Sequence, residues 1–182
     1  MRWFIAGIVG ALTLGFARAD VKSGPEVGSK VANFKVFATT GVHEGKEVDF
    51  PAERKDLPTV YFFVNHEHWG RPMARFIKTV DTEVGKGKSK TEAVAVWLTD
   101  KPDELKDHLP KVQQSLQMQA TALAVFTGEK SGPKEWKVND KAHITVVVVH
   151  KGQVKATIAH EAVTDADAKK VVDAVKKAIE SK

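Results

Sequence analysis

The residues most able to do chemistry in this chain are His66, Glu67 and His68, which follow one another in a short polar stretch. The two histidines offer imidazole nitrogens from a single loop, and Glu67 between them offers carboxylate oxygens. Nitrogen and oxygen donors of this kind suit zinc or copper(II). Side chains of an extended segment alternate, however, so His66 and His68 could share one face without any ligand between them. The stretch therefore predicts either a metal site or a polar surface.

A second chemical fact is that the chain of 182 residues contains no cysteine. This composition excludes disulfides, thiolate metal ligands, thiol nucleophiles and dithiol redox cycles. It also excludes a bacterial lipoprotein anchor, because the lipid is attached to a cysteine. The serine and aspartate residues form no recognisable nucleophile elbow or triad spacing. No motif therefore supports an enzyme with a nucleophile other than a cysteine thiol.

The first 19 residues have the organisation of a secretory signal peptide. Arg2 precedes an apolar run, and a small-x-small cleavage site ends at Ala19. The apolar run of about 14 residues would span about 21 Å as a helix, which is less than the roughly 30 Å of a bilayer core. We therefore expect a cleaved signal peptide over residues 1–19, a single domain over residues 20–182, and a secreted or periplasmic protein without membrane insertion.

The charge balance says little about partners. The formal net charge is +5, and it falls to +3 when Arg2 and Arg18 leave with the signal peptide. Such a surplus is too small to predict a nucleic-acid partner. The lysine-rich stretch over residues 85–90 lacks interleaved aromatic residues, so we interpret it as a connecting loop. The partner is expected to be a protein or a small molecule of unknown identity.

Hydrophobic patterning predicts seven strands. Short strands are expected at residues 34–37, 46–50 and 122–126, and buried strands at residues 59–64, 92–98 and 144–149. A turn at Lys151 and Gly152 should return the chain into a hairpin strand over residues 153–159.

Helical spacing predicts three helices. One begins near Arg71 and carries apolar residues at helical intervals as far as Val84. A second covers residues 103–118, where Pro110 should kink or divide it, because proline removes a backbone donor and clashes with the preceding turn. The third covers residues 168–179 and is preceded by Thr164 and Asp167, which are spaced almost as in a capping box.

Four segments, in this order, resemble thioredoxin-like proteins of the redoxin branch, which includes alkyl hydroperoxide reductase and thiol-specific antioxidant-like proteins. Residues 27–36 resemble the opening strand of that family, although Ala32-Asn33 stands where the family has Pro-Asp. Residues 45–48 resemble its Gly-Lys hairpin, residues 58–64 its core strand, and residues 145–154 its terminal hairpin. The resemblance implies an α/β thioredoxin-like fold with a central mixed sheet flanked by helices and an N-terminal β extension.

The resemblance also implies where thiol chemistry would stand. In that family it lies between the first core strand and the following helix, where this chain has residues 65–73. The family's cysteines would fall near His68 and Arg71, or at Pro72. Its cis-proline position falls on Ile144, where we expect an ordinary trans peptide because a cis bond before a residue other than proline is unfavourable. Thiol oxidoreductase or peroxidase activity is therefore not implied for this chain.

In a thioredoxin-like fold, the loop before the third core strand faces the start of the first core helix. His143 is therefore expected to approach the histidines of the first loop. The predicted ligands for zinc or copper are His66, His68, His143 and Glu67. The other predicted cleft residues are Trp69, Arg71 and Ile144. The sequence favours an alternative, a cysteine-less binding or structural module with partly exposed histidines, and a cleft for a small molecule or peptide is a third interpretation.

Overall fold

The structure is a computed structural model that describes residues 21–87 and 89–180. The predicted signal peptide and its cleavage site lie outside the described residues. Among the helices that are described, none is long and apolar enough to cross a membrane.

The predicted strands and helices occur in the predicted order, and one short helix, over residues 50–54, was not predicted. The strands are β1 (Val36–Ala38), β2 (Lys46–Val48), β3 (Thr59–Asn65), β4 (Glu92–Leu98), β5 (Thr121–Val125), β6 (Ile144–His150) and β7 (Gln153–His160). The helices are α1 (Phe50–Arg54), α2 (Arg71–Lys86), α3 (Pro102–Leu116) and α4 (Asp165–Glu180). Single 3-10 turns lie at His66–His68 and Lys134–Trp136.

The strands form one mixed sheet in the order β2-β1-β5-β4-β3-β6-β7. Strands β3, β4 and β5 are parallel, and the remaining pairs are antiparallel. The two parallel crossovers advance in the same direction across the sheet. Right-handed crossovers then place α2 and α3 side by side on one face, where their apolar residues and those of α4 share one core cluster. This neighbourhood of α2 and α3 shapes the surface described below.

Strand alternation divides the core between the two faces of the sheet. Phe62 packs in the cluster beneath the helices, whereas Phe63 packs on the opposite face. There it meets Phe34 and Trp136, whose ring centroids are 4.9 Å apart. The N-terminal segment and the turn that carries Trp136 therefore cover the face that the long helices leave open.

Two local details differ from what the sequence predicts: the end of one strand, and the expected division of a helix at Pro110. The strand expected over residues 46–50 ends at Val48, because Asp49 caps α1 by accepting a hydrogen bond from the Ala52 N–H at 2.9 Å. Helix α3 is not divided at Pro110 but continues from Pro102 to Leu116. Its apolar side is buried on both sides of the proline, and this packing outweighs the loss of one helical hydrogen bond.

The predicted hairpin and helix cap are confirmed. Lys151 and Gly152 have φ angles of +54° and +67°, as in the type I′ turns that match the twist of a hairpin. At the start of α4, the Thr164 N–H and hydroxyl donate to Asp167 Oδ2 at 2.9 and 2.7 Å. The side chain of Asp167 thereby satisfies a backbone donor that the helix leaves unpaired.

The first described residues pack against β6 and β7. Ser23 Oγ lies 2.6 Å from Thr145 Oγ1 in a buried hydrogen bond. Gly24 follows with φ +96°, and a Cβ atom added there would lie 2.4 Å from Thr157 Cγ2. Only glycine combines this backbone angle with such a close approach. The segment is thus built to lie flat against the sheet.

Candidate functional site

The candidate site begins where β3 ends. Asn65 is the last residue of that strand, and its Oδ1 accepts a hydrogen bond from the Glu67 N–H at 3.1 Å. The 3-10 turn closes when the Trp69 N–H donates to the His66 carbonyl at 3.0 Å. Helix α2 then starts at Arg71 with Pro72 in its first turn, a position where the missing proline N–H has no helical partner to lose. Asparagine and proline therefore position the polar turn His66–His68.

A second loop, over residues 137–143, is held against the first. The Asn65 N–H donates to the His143 carbonyl at 3.0 Å, and Asn65 Nδ2 donates to the Asp140 carbonyl at 3.2 Å. From the other side, the Asn139 N–H donates to Ser23 Oγ at 2.8 Å. Asn65 and the N-terminal segment together hold the loop that carries His143.

These contacts bring His68 and His143 face to face. Their ring centroids are 3.5 Å apart and their planes differ by 11°. Burial lowers the pKa of His143, and the neighbouring His68 lowers it further. Both effects favour the neutral form of the His143 imidazole near pH 7. The predicted approach of His143 to the first loop is therefore observed for His68.

Glu67 is engaged elsewhere. It forms an ion pair with Lys130 on the loop after β5, and Lys130 Nζ also lies 3.6 Å from Asp100 Oδ2. The hydrogen bond from Lys130 holds the pKa of Glu67 below its usual range, and the same bond raises the pKa of Lys130. This exposed ion pair connects the polar turn to two neighbouring loops rather than to the cleft.

The four predicted metal ligands do not form a metal site in this arrangement. Within residues 21–87 and 89–180, no group of three or more histidine, aspartate or glutamate side chains is placed to hold an ion. Stacked imidazoles direct their nitrogen lone pairs along parallel planes and not toward one point. His66 is partly buried, and its Nδ1 has no hydrogen-bond partner. A shared ion would require at least one ring to turn and Glu67 to leave Lys130.

The other predicted cleft residues have different surroundings. Trp69 is partly buried and packs edge-to-face on the buried Trp97, with ring centroids 5.2 Å apart. Arg71 is exposed at the start of α2. Ile144 is wrong as a cleft residue, because it is fully buried in the core as the partner of Val64 in β3. The described chain contains no cis peptide bond, so the expectation of an ordinary trans peptide at Ile144 is confirmed.

Sequence reasoning missed a groove between the outer sides of α2 and α3. It consists of two adjoining pockets of about 490 and 480 Å³. The first is lined by Trp69, Gly70, Arg71, Ala74, His108, Lys111, Val112, Ser115 and Leu116. The second continues along α2 as far as Glu83. Arg71, Arg75 and Lys78 recur at helical intervals, and this spacing was the available signal for a cationic side of α2.

Comparison with known proteins identifies the fold. No family model matches the chain, and no curated protein matches it in sequence. A peroxiredoxin-like protein from Aquifex aeolicus is similar in structure, with a TM-score of 0.61, 15% identity, and coverage of 88% of this chain and 91% of that one. An SCO1/SenC family lipoprotein from Bacillus anthracis has a TM-score of 0.61 and 13% identity, and the match covers 83% of this chain and 95% of that one. A DsbF homologue from Corynebacterium diphtheriae has a TM-score of 0.59 and 16% identity, and the match covers 80% of this chain and 86% of that one.

These likenesses confirm the predicted fold class. The chain has a thioredoxin-like fold, with a seven-stranded mixed sheet flanked by helices and an N-terminal β extension. It has this fold without a single cysteine. Identities this low bear on the fold alone.

Proposed function

We propose that this chain is an exported thioredoxin-fold protein that has lost thiol redox chemistry and acts by binding a partner. The observation that carries the proposal is the contact between His68 and His143. The two loops that meet at this end of the fold are held together by hydrogen bonds from Asn65. They stack the imidazole of His68, which falls near a cysteine position of redoxin-like proteins, on the imidazole of His143. A positioned surface without a nucleophile suits recognition rather than covalent chemistry.

The surroundings of the imidazole pair support binding at this end of the domain. Trp69 exposes part of its indole ring while its inner edge rests on Trp97. A rigid, partly exposed tryptophan is a common anchor in protein interfaces, because it supplies contact area at little loss of conformational freedom. Next to it, Arg71 adds a positive charge at the positive end of the α2 dipole. The surface therefore combines an aromatic anchor with a cationic edge.

The proposal is tested by site-specific photocrosslinking in the cells that export the protein. Benzoylphenylalanine in place of Trp69 should capture one discrete protein. The same residue in place of the exposed Lys134, on the opposite face of the sheet, should not. The captured protein, once purified, should bind the chain, and Trp69→Ala should weaken that affinity by about thirtyfold, as for an interface hot spot. Equal capture at both positions, or affinity unchanged by Trp69→Ala, would overturn the proposal.

Export is tested independently of binding. The mature protein, purified from the extracytoplasmic fraction, should begin at Asp20 when its amino terminus is sequenced. A protein that keeps residues 1–19 in the cytoplasm would contradict this part of the proposal.

A metal-binding role at the same position is the second candidate, favoured by the 3.5 Å approach of His68 and His143. It requires one ring to rotate so that both imidazoles direct a nitrogen to a single ion. Titration of residues 20–182 with zinc or copper(II) tests it. Tight one-to-one binding that is lost in the variant His68→Ala/His143→Ala would support a metal site, and equal affinity in the double variant would remove it.

A further inference from the structure

The α2–α3 groove, defined by the two adjoining pockets above, has an apolar floor. Trp69, Ala74, Val112 and Leu116 line it, and Leu116 belongs to both pockets. Trp69 and Leu116 are partly buried, so each presents apolar surface to the solvent while its remainder packs on the core. The floor thus offers hydrophobic surface in the first pocket, at the end of the groove where α2 begins.

The walls of the groove are cationic. Arg71, Arg75 and Lys111 are exposed, and within residues 21–87 and 89–180 none of them forms an ion pair. Lys78 also lines the groove, but it is bound to Asp81 and to the Gln117 carbonyl.

The one carboxylate among the described lining residues is poorly placed to neutralise these cations. Glu83 stands at the far end of the second pocket, and it lies 2.7 Å from Lys86. The unpaired cations therefore lie toward the Trp69 end of the groove, and the lining residues offer them no carboxylate there.

The dimensions of the groove indicate the shape of its ligand. From Arg71 to Glu83 the α2 helix rises about 18 Å, which matches about five or six residues of extended peptide. Pockets for small molecules usually enclose most of the ligand surface, whereas this groove is open to solvent along its whole length. An open, linear site suits a linear ligand.

We propose that the α2–α3 groove binds an acidic peptide segment of a partner protein. Its apolar side chains would lie on Trp69 and Leu116, and its carboxylates would face Arg71, Arg75 and Lys111. The proposal rests on the proposed function, because it names the kind of segment through which the partner is recognised. Complementary charge would set both the affinity and its dependence on salt.

The test uses two synthetic hexapeptides labelled with fluorescein. One alternates glutamate with leucine and the other alternates lysine with leucine. In an anisotropy titration of the full mature chain, the glutamate peptide should bind and the lysine peptide should not. Affinity should fall when salt is raised from about 0.05 to about 0.5 M, because exposed charge pairs are screened at this ionic strength. Binding should also change the fluorescence of Trp69, by comparison with the variant Trp69→Phe.

A matched pair of variants places the peptide in the groove. Lys111→Glu should weaken binding about fivefold or more, because charge reversal removes an attraction and adds a repulsion. Lys134→Glu makes the same change of charge at an exposed position on the opposite face and should leave the affinity unchanged. Unfolding midpoints of both variants, measured by circular dichroism, control for the fold.

Three results would overturn the groove proposal: no binding of the glutamate peptide, equal binding of both peptides, or equal effects of Lys111→Glu and Lys134→Glu. Binding of dodecanoate without binding of either peptide would also overturn it and would indicate an amphiphile site. These failures are distinct from failure of the proposed function. A partner captured at position 69 whose affinity does not respond to Lys111→Glu leaves the binding function standing and removes only the acidic-segment model.

Discussion

Replacement of Asp81 by alanine should destabilise the fold more than replacement of any other polar side chain of α2. Asp81 is only 2% exposed, although it is charged. Its carboxylate accepts hydrogen bonds from the Ala120 N–H at 2.8 Å, the Thr121 hydroxyl at 2.9 Å and the Gln119 N–H at 3.1 Å. One side chain of α2 therefore holds the whole turn that leads from α3 into β5.

The magnitude follows from the donors that Asp81→Ala leaves behind. A buried donor without a partner costs about 1–3 kcal/mol. The Thr121 side chain is fully buried and its hydroxyl would lose its acceptor, and the partly buried Ala120 N–H would lose most of its pairing. Gln119 is exposed, so water can replace the carboxylate there. We expect a loss of about 2–4 kcal/mol in the free energy of unfolding.

Urea unfolding followed by far-ultraviolet circular dichroism measures this loss. The control is Asp173→Ala, which removes an exposed aspartate from α4 and should change stability by less than about 0.5 kcal/mol. Asp81→Asn keeps one acceptor oxygen and should fall between the two. If Asp81→Ala matches the control, the carboxylate is not what holds the α3–β5 turn, and the reasoning is wrong.

Three further predictions concern stability. Burial would raise the pKa of Asp167, but hydrogen bonds from Thr164 and Lys170 lower it to about 2. Because a depressed carboxyl pKa stabilises the fold above pH 4, the free energy of unfolding should drop by about 2 kcal/mol as pH falls from 4 toward 2. Urea titrations of the variant Asp167→Asn should lack that drop. Gly24→Ala should lower the midpoint of thermal unfolding, because the added methyl group would clash with Thr157 Cγ2. The second substitution Thr157→Ser removes that Cγ2 methyl group and should recover part of the loss. An unchanged midpoint in the single variant would contradict the close approach. Pro110→Ala should raise the free energy of unfolding by about 1–2 kcal/mol, because it restores a helical donor inside α3. A lower free energy of unfolding in this variant would show instead that Pro110 stabilises the fold.

The architecture was predictable because its signals are local. The apolar runs that form β3 and β6, the helical spacing after Arg71, and the Lys151-Gly152 turn each report on their own element. The errors arose where two local signals compete. Phe50 continues a strand pattern, but Asp49 and Pro51 mark a helix start, and the helix prevailed.

The site was predictable only in part, because pairing in space depends on both chemistry and side-chain direction. The approach of His143 to the first loop followed from the order of the elements, and the stack with His68 bears it out. The engagement of Glu67 by Lys130 did not follow, since these residues are 63 positions apart in sequence. Likewise, Ile144 stands at the expected position, but strand alternation sends its side chain into the core.

The N-terminal segment has a consequence for the order in which the chain can assemble. Ser23 and Thr145 are separated by 122 positions, and Lys22 and Asn139 by 117. Contacts of such range close very large loops and form slowly relative to local structure. Residues 22–24 must therefore wait for the loop of His143 and for β6 before they find these partners. Until then, the contact of Ser23 with Asn139 is missing, so the loop that carries His143 is among the last parts of the described chain to be held in place.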